Sequence, residues 1–255
     1  MMEQVAIVTG STKGIGKSIA IKLAEQGIKV VITGRNEELG DEVVRSIEQS
    51  GGKAQFFKVD LASNDEVNSF CDLFMKHYDR LDILVNNAGI SGPMGPILQT
   101  PVESIASTFK VNVDSIFLLC QRLIPAMEQQ HWGRVINISS IAYRLTPANS
   151  AVYNMTKAAL NAFTQTLAKE VGPMGITVNA IAPGLILTDR ILNERLPGMA
   201  AKAGISVEQM RKELTKGSLT NQLATPENIA ATVAFLVTEG ASAITGEILN
   251  ISSGA

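Results

Sequence analysis

The sequence predicts an α/β protein built on a parallel sheet, and three observations carry that reading. Short apolar runs such as residues 5–9 (Val-Ala-Ile-Val-Thr) have the form of strands buried on both faces. Helix-patterned segments separate these runs along the chain. The first strand passes through a glycine-rich turn straight into a helix, the arrangement that sets a phosphate on a helix N-terminus. Composition agrees: 45% apolar and 18% charged residues are ordinary for a soluble α/β protein, and 255 residues can bury a sizeable core. No repeat, low-complexity tract or linker interrupts the chain, so one domain over residues 1–255 is the economical division.

The glycine-rich turn reads Thr9-Gly10-Ser11-Thr12-Lys13-Gly14-Ile15-Gly16. Gly10 permits the tight turn, and Gly14 and Gly16 let backbone and cofactor approach closely. The spacing is G-x-x-x-G-x-G rather than G-x-G-x-x-G, so its weight comes from its place between strand and helix. The helix behind it sets Ile15, Ile19 and Leu23 on one face and stops at Gly27. Residues 29–33 form the second strand. The common dinucleotide pattern ends this strand with an acid that bonds a ribose 2′-hydroxyl. Here the end reads Thr33-Gly34-Arg35-Asn36: the acid is missing and an arginine is present. With Lys13 in the turn, two cations suit a 2′-phosphate, hence NADP(H) in preference to NAD(H). The alternative is an Arg35 that simply faces solvent.

A helix over residues 36–50 ends at Gly51-Gly52, and a third strand over 54–59 closes at Asp60-Leu61. Ser63-x-x-Glu66 is a capping box opening the next helix. Residues 82–85 form the fourth strand, followed by Asn86-Asn87-Ala88-Gly89. Small residues there suit a ligand lying across a parallel sheet, or an ordinary glycine turn. Thr100-Pro101-Val102-Glu103 predicts a helix start with an N-cap, a proline and a capping glutamate. Asn112 then falls among apolar neighbours, where an amide must find partners. Residues 134–139 form the fifth strand, a helix runs from after Pro147 to about residue 171, and residues 175–182 form the sixth strand, ending at Pro183-Gly184. The stretch 185–224 is rich in charge, methionine and glycine, with one or two helices and no strand. Its length between regular elements predicts a lid over a site. Thr225-Pro226-Glu227 opens a last helix to residue 237, and residues 247–251 form the last strand.

One stretch carries candidate chemistry. Tyr153 and Lys157 stand four apart on a helix and share a face. A nearby ammonium favours the phenolate and lowers a phenol pKa from its ordinary ~10. Such a tyrosine gives or takes a proton near neutral pH. Ser140, across the Thr146-Pro147 turn, places a hydroxyl for a carbonyl oxygen. Taken alone, the pair also fits a solvated helix face.

Other classes are disfavoured. A formal net charge of −2 argues against a nucleic-acid or anionic-membrane surface. No apolar run reaches eighteen residues, and residues 229–237 are too short to span a bilayer. Residues 1–4 carry no basic flank or signal-peptide core. Cys71 and Cys120 lack metal spacing and read as buried, reduced thiols of a cytoplasmic protein, and no metal is expected.

Thr9-Gly-x-x-x-Gly-Ile-Gly16, Asn86-Asn-Ala-Gly89, Asn112, Ser140, Tyr153-x-x-x-Lys157 and Pro183-Gly184 follow one another as in the short-chain dehydrogenase/reductase family, which the whole chain resembles. The resemblance implies a doubly wound, Rossmann-type parallel sheet of seven strands flanked by helices. It implies a catalytic tetrad of Asn112, Ser140, Tyr153 and Lys157. Tyr153 would be the proton donor for ketone reduction and the base for alcohol oxidation. Lys157 would lower its pKa and hold the nicotinamide ribose, Ser140 would polarise the carbonyl, and Asn112 would bind a water in a proton relay. The cofactor would contact Gly10, Ser11, Thr12, Lys13, Gly14, Ile15 and Gly16, with Arg35, and with Asp60 and Leu61 at the adenine. It would run along Asn87, Ala88 and Gly89 to Tyr153 and Lys157, and Pro183, Gly184, Ile186 and Thr188 would hold the carboxamide end. Relatives pair the helices of residues 100–129 and 149–171 across two-folds, which implies a homotetramer or homodimer. Ser252-Ser253-Gly254 departs from the family's Asp-Gly-Gly or Asn-Gly-Gly ending and puts C-terminal packing in question. Met174 and His131-Trp132 give no basic entrance for an acidic carrier.

The leading expectation is an NADPH-dependent oxidoreductase that moves a hydride between NADP(H) and a small-molecule ketone or secondary alcohol. A 3-oxoacyl-thioester (acyl-carrier protein) reductase is the alternative within enzymes. A non-catalytic dinucleotide-binding sensor is the alternative of another class, and the intact tetrad argues against it.

Overall fold

Alternation within the first strand builds both faces of the molecule. In the computed structural model, which describes residues 3–189 and 191–254, Val5–Val8 (β1) is buried throughout. Val5 and Ile7 face one core with Phe70, Phe74, Leu119, Leu123 and Leu160. Ala6 and Val8 face a second core with Ile19, Leu23, Val43, Ile229 and Val233. A strand apolar on both faces therefore sits inside a three-layer sandwich, as its sequence requires. Each fully buried aliphatic side chain contributes about 1.5–3 kcal/mol relative to exposure.

The elements follow in order. Gly14–Glu25 (α1), Lys29–Gly34 (β2), Glu37–Gln49 (α2) and Ala54–Lys58 (β3) make the first half. Asn64–His77 (α3), Ile83–Asn86 (β4), Glu103–Phe109 (α4) and Ser115–Gln130 (α5) come next. Gly133–Ile138 (β5), Ala142–Leu145 (α6), Ala151–Val171 (α7) and Ile176–Pro183 (β6) carry the centre of the site. Leu196–Ala203 (α8), Val207–Lys216 (α9), Pro226–Leu236 (α10) and Ile248–Ile251 (β7) complete the chain. The sheet runs β3-β2-β1-β4-β5-β6-β7, parallel at every pairing. The strand order reverses between β1 and β4. Their connections leave in opposite directions and open a crevice at the carboxyl edge of the sheet.

Three local expectations need correction. Thr100 caps no helix: its hydroxyl donates to the Pro96 carbonyl at 3.0 Å, α4 starts at Glu103, and Val102 is the residue before it. The Ser63 box is half made. Ser63 Oγ accepts from Glu66 N–H, but the Glu66 carboxylate accepts from Asp60 N–H at 2.8 Å, pinning the end of β3 instead. The helix through Asn112 is not regular, since a π turn over Lys110–Asp114 joins α4 to α5. Such single-turn widenings recur at functional sites.

Cys71 and Cys120 are free and buried, and burial pushes both thiols up to about 12. Among the described residues no helix is long and apolar enough to cross a membrane, and no cluster of His, Cys, Asp or Glu could hold a metal.

Candidate active site

The glycine turn is stitched to its neighbours by buried hydroxyls. Thr9 Oγ1 accepts from the backbone N–H of Asn87 at 2.9 Å and of Ala88 at 3.1 Å, tying the turn after β1 to the turn after β4. Ser11 Oγ donates to Val8 O at 2.6 Å and accepts from Thr33 N–H at 3.2 Å. The Ser11 side chain therefore serves the fold, which the motif could not reveal. Gly10 has φ +61°, and a Cβ there would stand 2.9 Å from Ala88 Cα. At Gly16 a Cβ would meet Asn87 Nδ2 at 2.4 Å. That amide already donates to Thr9 O at 2.9 Å and Gly10 O at 3.1 Å. Asn36 and Ser63 cap α2 and α3, but no side chain caps α1 and no acid lies in its first turn. Its leading N–H groups are left for an outside anion.

Ionic candidates flank this turn. Lys13 is exposed. Arg35 is 76% exposed at the end of β2, with its guanidinium 4.0 Å from the Asp60 carboxylate. Thr12 lies against Gly34, where a Cβ would come within 2.6 Å of Thr12 Cγ2. The Leu61 side chain is buried in the core.

The candidate reacting groups gather where β5 and α7 meet. Ser139 is 4% exposed, with its N–H on Ile181 O and its hydroxyl on Lys157 O. Ser139 and Ser140 both line the cleft; Ser140 Oγ accepts from Ala142 N–H at 3.2 Å and acts on the Tyr153 phenol. The Pro147 carbonyl accepts from Ser150 Oγ at 2.8 Å and Asn154 Nδ2 at 3.1 Å, fixing the entry into α7 and so the direction of Tyr153. Lys157 is 4% exposed, and its Nζ donates to Ile138 O at 2.8 Å and lies 5.6 Å from the Tyr153 ring centroid.

The electrostatics differ from the sequence expectation. Burial pushes the Tyr153 phenol above its ordinary range, and the Ser140 hydrogen bond and the Arg195 charge pull it partly back. Burial lowers Lys157 to about 8. The lysine is thus cationic at neutral pH beside a phenol that keeps its proton. How deeply each group is buried decides this, and helix spacing does not encode burial.

Asn112 is fully buried on the π turn. Its Oδ1 accepts from Ile90 N–H at 2.8 Å, and its Nδ2 donates to Ile90 O at 2.8 Å and Thr156 Oγ1 at 3.1 Å. Thr156 in turn donates to Tyr153 O at 2.8 Å. Both amide hydrogens are engaged, so the side chain braces the Gly89–Ile90 turn against α7.

Ser140, Tyr153 and Lys157 face a cleft of about 500 Å³, which the buried Asn112 does not line. Ile15, Asn87 and Gly89 form one wall, with Ser140, Tyr153 and Lys157 beside them. Pro183, Gly184, Ile186 and Thr188 close it from β6 onward. Gly14, with φ +57°, faces Thr188 across the gap, where a Cβ would stand 3.6 Å from Thr188 Cγ2. Of the expected site residues, Gly10 to Gly14, Gly16, Arg35, Asp60, Leu61, Ala88 and Asn112 are not among those lining it. Met94, Ile141, Leu145 and Arg195 are among the further lining residues that no sequence motif singled out. Nothing in the linear pattern tells which side chain of a long loop turns inward. The unusual tail has a structural role, since Ser253 adopts φ +55° and its carbonyl accepts from Leu219 N–H at 2.8 Å and Ser218 Oγ at 3.2 Å.

The family model described as enoyl-(acyl carrier protein) reductase matches residues 10–255. The chain is 37% identical over 252 residues to a 3-oxoacyl-[acyl-carrier-protein] reductase of Aquifex aeolicus, covering 98% of this chain and 96% of that one. Among solved structures it is similar to YwfH, an NADPH-dependent reductase involved in bacilysin biosynthesis, with TM-score 0.92, 27% identity and coverage of 99% and 98%. It is also similar to an NAD+-bound xylitol dehydrogenase, with TM-score 0.90, 28% identity and coverage of 98% of each chain. With full-length relatives of this kind and the cleft described above, the chain belongs to the short-chain dehydrogenase/reductase family of oxidoreductases, which interconvert carbonyl and alcohol groups.

Proposed function

We propose that this enzyme reduces a ketone with NADPH, using Ser140, Tyr153 and Lys157, with Asn112 as the brace that holds them. The observation that carries the proposal is one cleft lined by Ser140, Tyr153 and Lys157, with Ile15 of the α1 glycine turn on its other wall. The turn fits a dinucleotide: glycines stand where side chains would collide, and α1 begins without a cap. Bound NADPH supplies the hydride. Lys13 and Arg35 hold the 2′-phosphate, and Asp60 flanks the adenine. Asn87, Ala88 and Gly89 line the path to the nicotinamide, and Gly184, Ile186 and Thr188 hold its carboxamide end.

Ser140 Oγ hydrogen-bonds the substrate carbonyl oxygen and sets it beside the phenol. Tyr153, protonated at neutral pH, donates its proton to that oxygen. The Lys157 ammonium stabilises the phenolate as it forms, which is where a buried charge helps most. In alcohol oxidation Tyr153 Oη takes the proton back. Residues 185–224 act as the lid of a single domain and exclude water over the cleft; Arg190 in that stretch lies outside the described residues. We place the enzyme in the cytoplasm as a homotetramer or homodimer, in keeping with two buried free thiols and an apolar groove between α5 and α7.

The test is NADPH consumption over a panel of neutral and anionic ketones, beside acetoacetyl thioesters, with both cofactors titrated by fluorescence. NADPH should bind about ten- to a hundredfold tighter than NADH, the worth of a charge-assisted contact to phosphate. Equal or tighter NADH binding would refute the preference. A second reading, a 3-oxoacyl-thioester reductase, is favoured by the full-length Aquifex relative. Thioesters outpacing free ketones would select it.

A further inference from the structure

We infer that Arg195 forms an anion subsite in the substrate part of the cleft, and that the substrate is an oxo acid whose carboxylate it grips. This deepens the proposed carbonyl reduction and rests on that reading. Among the described residues lining the cleft, Lys157 and Arg195 carry charge, and no aspartate or glutamate is present. Lys157 is buried and its Nζ is committed to Ile138 O at 2.8 Å. Arg195 is exposed to the cleft mouth and has no hydrogen bond or ion pair among the described residues. One uncommitted cation therefore serves a site with no internal anion.

The fold fixes where that cation stands. Arg195 closes the π turn Ile191–Arg195 and directly precedes α8. Its neighbour Leu196 is 3% exposed, Pro197 is in the first turn of α8, and Ala200 is 3% exposed. The backbone is thus held by buried contacts while the side chain reaches into the cleft. The Arg195 charge acts on the Tyr153 phenol, so guanidinium and proton donor serve one volume. The rest of that wall is apolar, with Met94, Ile141, Leu145 and Leu185. Apolar walls strengthen a charge pair relative to water, and a guanidinium presents a planar fork that matches a carboxylate. The implied ligand has a ketone at Ser140 and Tyr153, an apolar body and a carboxylate at Arg195.

A cofactor phosphate would offer the same anion chemistry, so the test separates the two sources. 2-Oxo-, 3-oxo- and 4-oxohexanoate are each assayed beside the matching primary amide with the NADPH-loaded enzyme. One acid should exceed its amide in kcat/KM by roughly ten- to a hundredfold, carried by KM. Arg195→Gln should abolish that ratio, and Arg195→Lys should keep part of it. In parallel, calorimetry measures hexanoate and hexanamide binding to the NADP+-loaded protein, which needs no turnover. Hexanoate should bind more tightly than hexanamide, and Arg195→Gln should remove the difference. Loss of NADPH affinity in Arg195→Gln with an unchanged acid-to-amide ratio would assign the guanidinium to the cofactor and overturn the proposal. So would hexanoate binding that is absent, or equal in wild type and Arg195→Gln. Arg195-dependent hexanoate binding without reduction of any ketone would uphold the anion subsite while sinking the ketone-reductase reading.

Discussion

At the scale of single residues, Tyr153 and Lys157 divide the work by environment. The phenol is held above its ordinary range by burial, so in the proposed mechanism it enters as an acid. Tyr153→Phe keeps the ring and its packing and removes the proton. Turnover should fall by about 10²- to 10⁴-fold, the usual general-acid contribution, with thermal unfolding and NADPH affinity almost unchanged. Near wild-type turnover would refute the assignment. Lys157 behaves differently because burial lowers it from 10.5 to about 8. Between those values the unfolded chain binds the proton and the folded chain does not, so this group's contribution to stability rises with pH across that window. Below about 8 the buried ammonium is a cost. Lys157→Met should therefore raise stability at pH 7 by about 1–3 kcal/mol, less what the lost Ile138 hydrogen bond was worth, while weakening NADPH binding and abolishing most turnover. The advantage over wild type should shrink as pH climbs from about 8 to 10.5, and thermal melts across that range would read it. A variant less stable than wild type at pH 7 would count against a costly buried charge.

At the scale of elements, α9 is the weakly held part of the proposed lid. Helix α9 buries no residue, whereas α7 buries nine. What shapes α9 is local: Ser206 Oγ accepts from Gln209 N–H at 3.1 Å, and the Gln209 side chain accepts from Ser206 N–H at 3.0 Å. Ser206→Ala removes one of these bonds. It should cost the helix about 1 kcal/mol and speed amide exchange within residues 207–216, with the global melting temperature nearly unmoved. Unchanged exchange there would show that tertiary contacts hold α9. The same contrast marks what the chain discloses by itself. Buried strands and strongly periodic helices are legible because their faces are written in residue type, as in residues 5–8 and 151–171. The order Ser140, Tyr153, Lys157 is legible for the same reason, since a strand end and a helix face fix it. Caps at Thr100 and Ser63 mislead because a hydroxyl or carboxylate takes whichever backbone group the tertiary structure brings near. Thr100 found Pro96, and Glu66 found Asp60. The rise of the Tyr153 pKa and the inward turn of Arg195 depend on burial and loop path, which no spacing records.

At the scale of the whole molecule, the sheet places its reactive edge on one side and leaves an apolar groove between α5 and α7. Phe117 is 55% exposed there, with its ring centroid 5.6 Å from that of Phe163. Cys120, Ile124, Pro125, Leu167 and Val171 continue the groove, with Gln121, Glu128 and Glu170 beside them. A contiguous patch of this kind is costly in water, and a self-complementary two-fold is the simplest cover. The tyrosine and lysine lie on the same helix α7, so pairing through this groove would stiffen the element that positions them. Light scattering at micromolar concentration should give a mass two or four times the 27.2 kDa of one chain. Phe117→Glu places a charge in the groove without touching the cleft. Burying it unpaired costs several kcal/mol, enough to dissociate most interfaces centred on this position. The variant should run as a folded monomer near 27.2 kDa with its secondary structure intact. Its turnover should fall as α7 loses support, while NADPH affinity, which the proposed function assigns to the glycine turn and Arg35, should fall less. A wild-type monomer under these conditions would overturn the assembly, and an oligomeric Phe117→Glu would move the interface elsewhere.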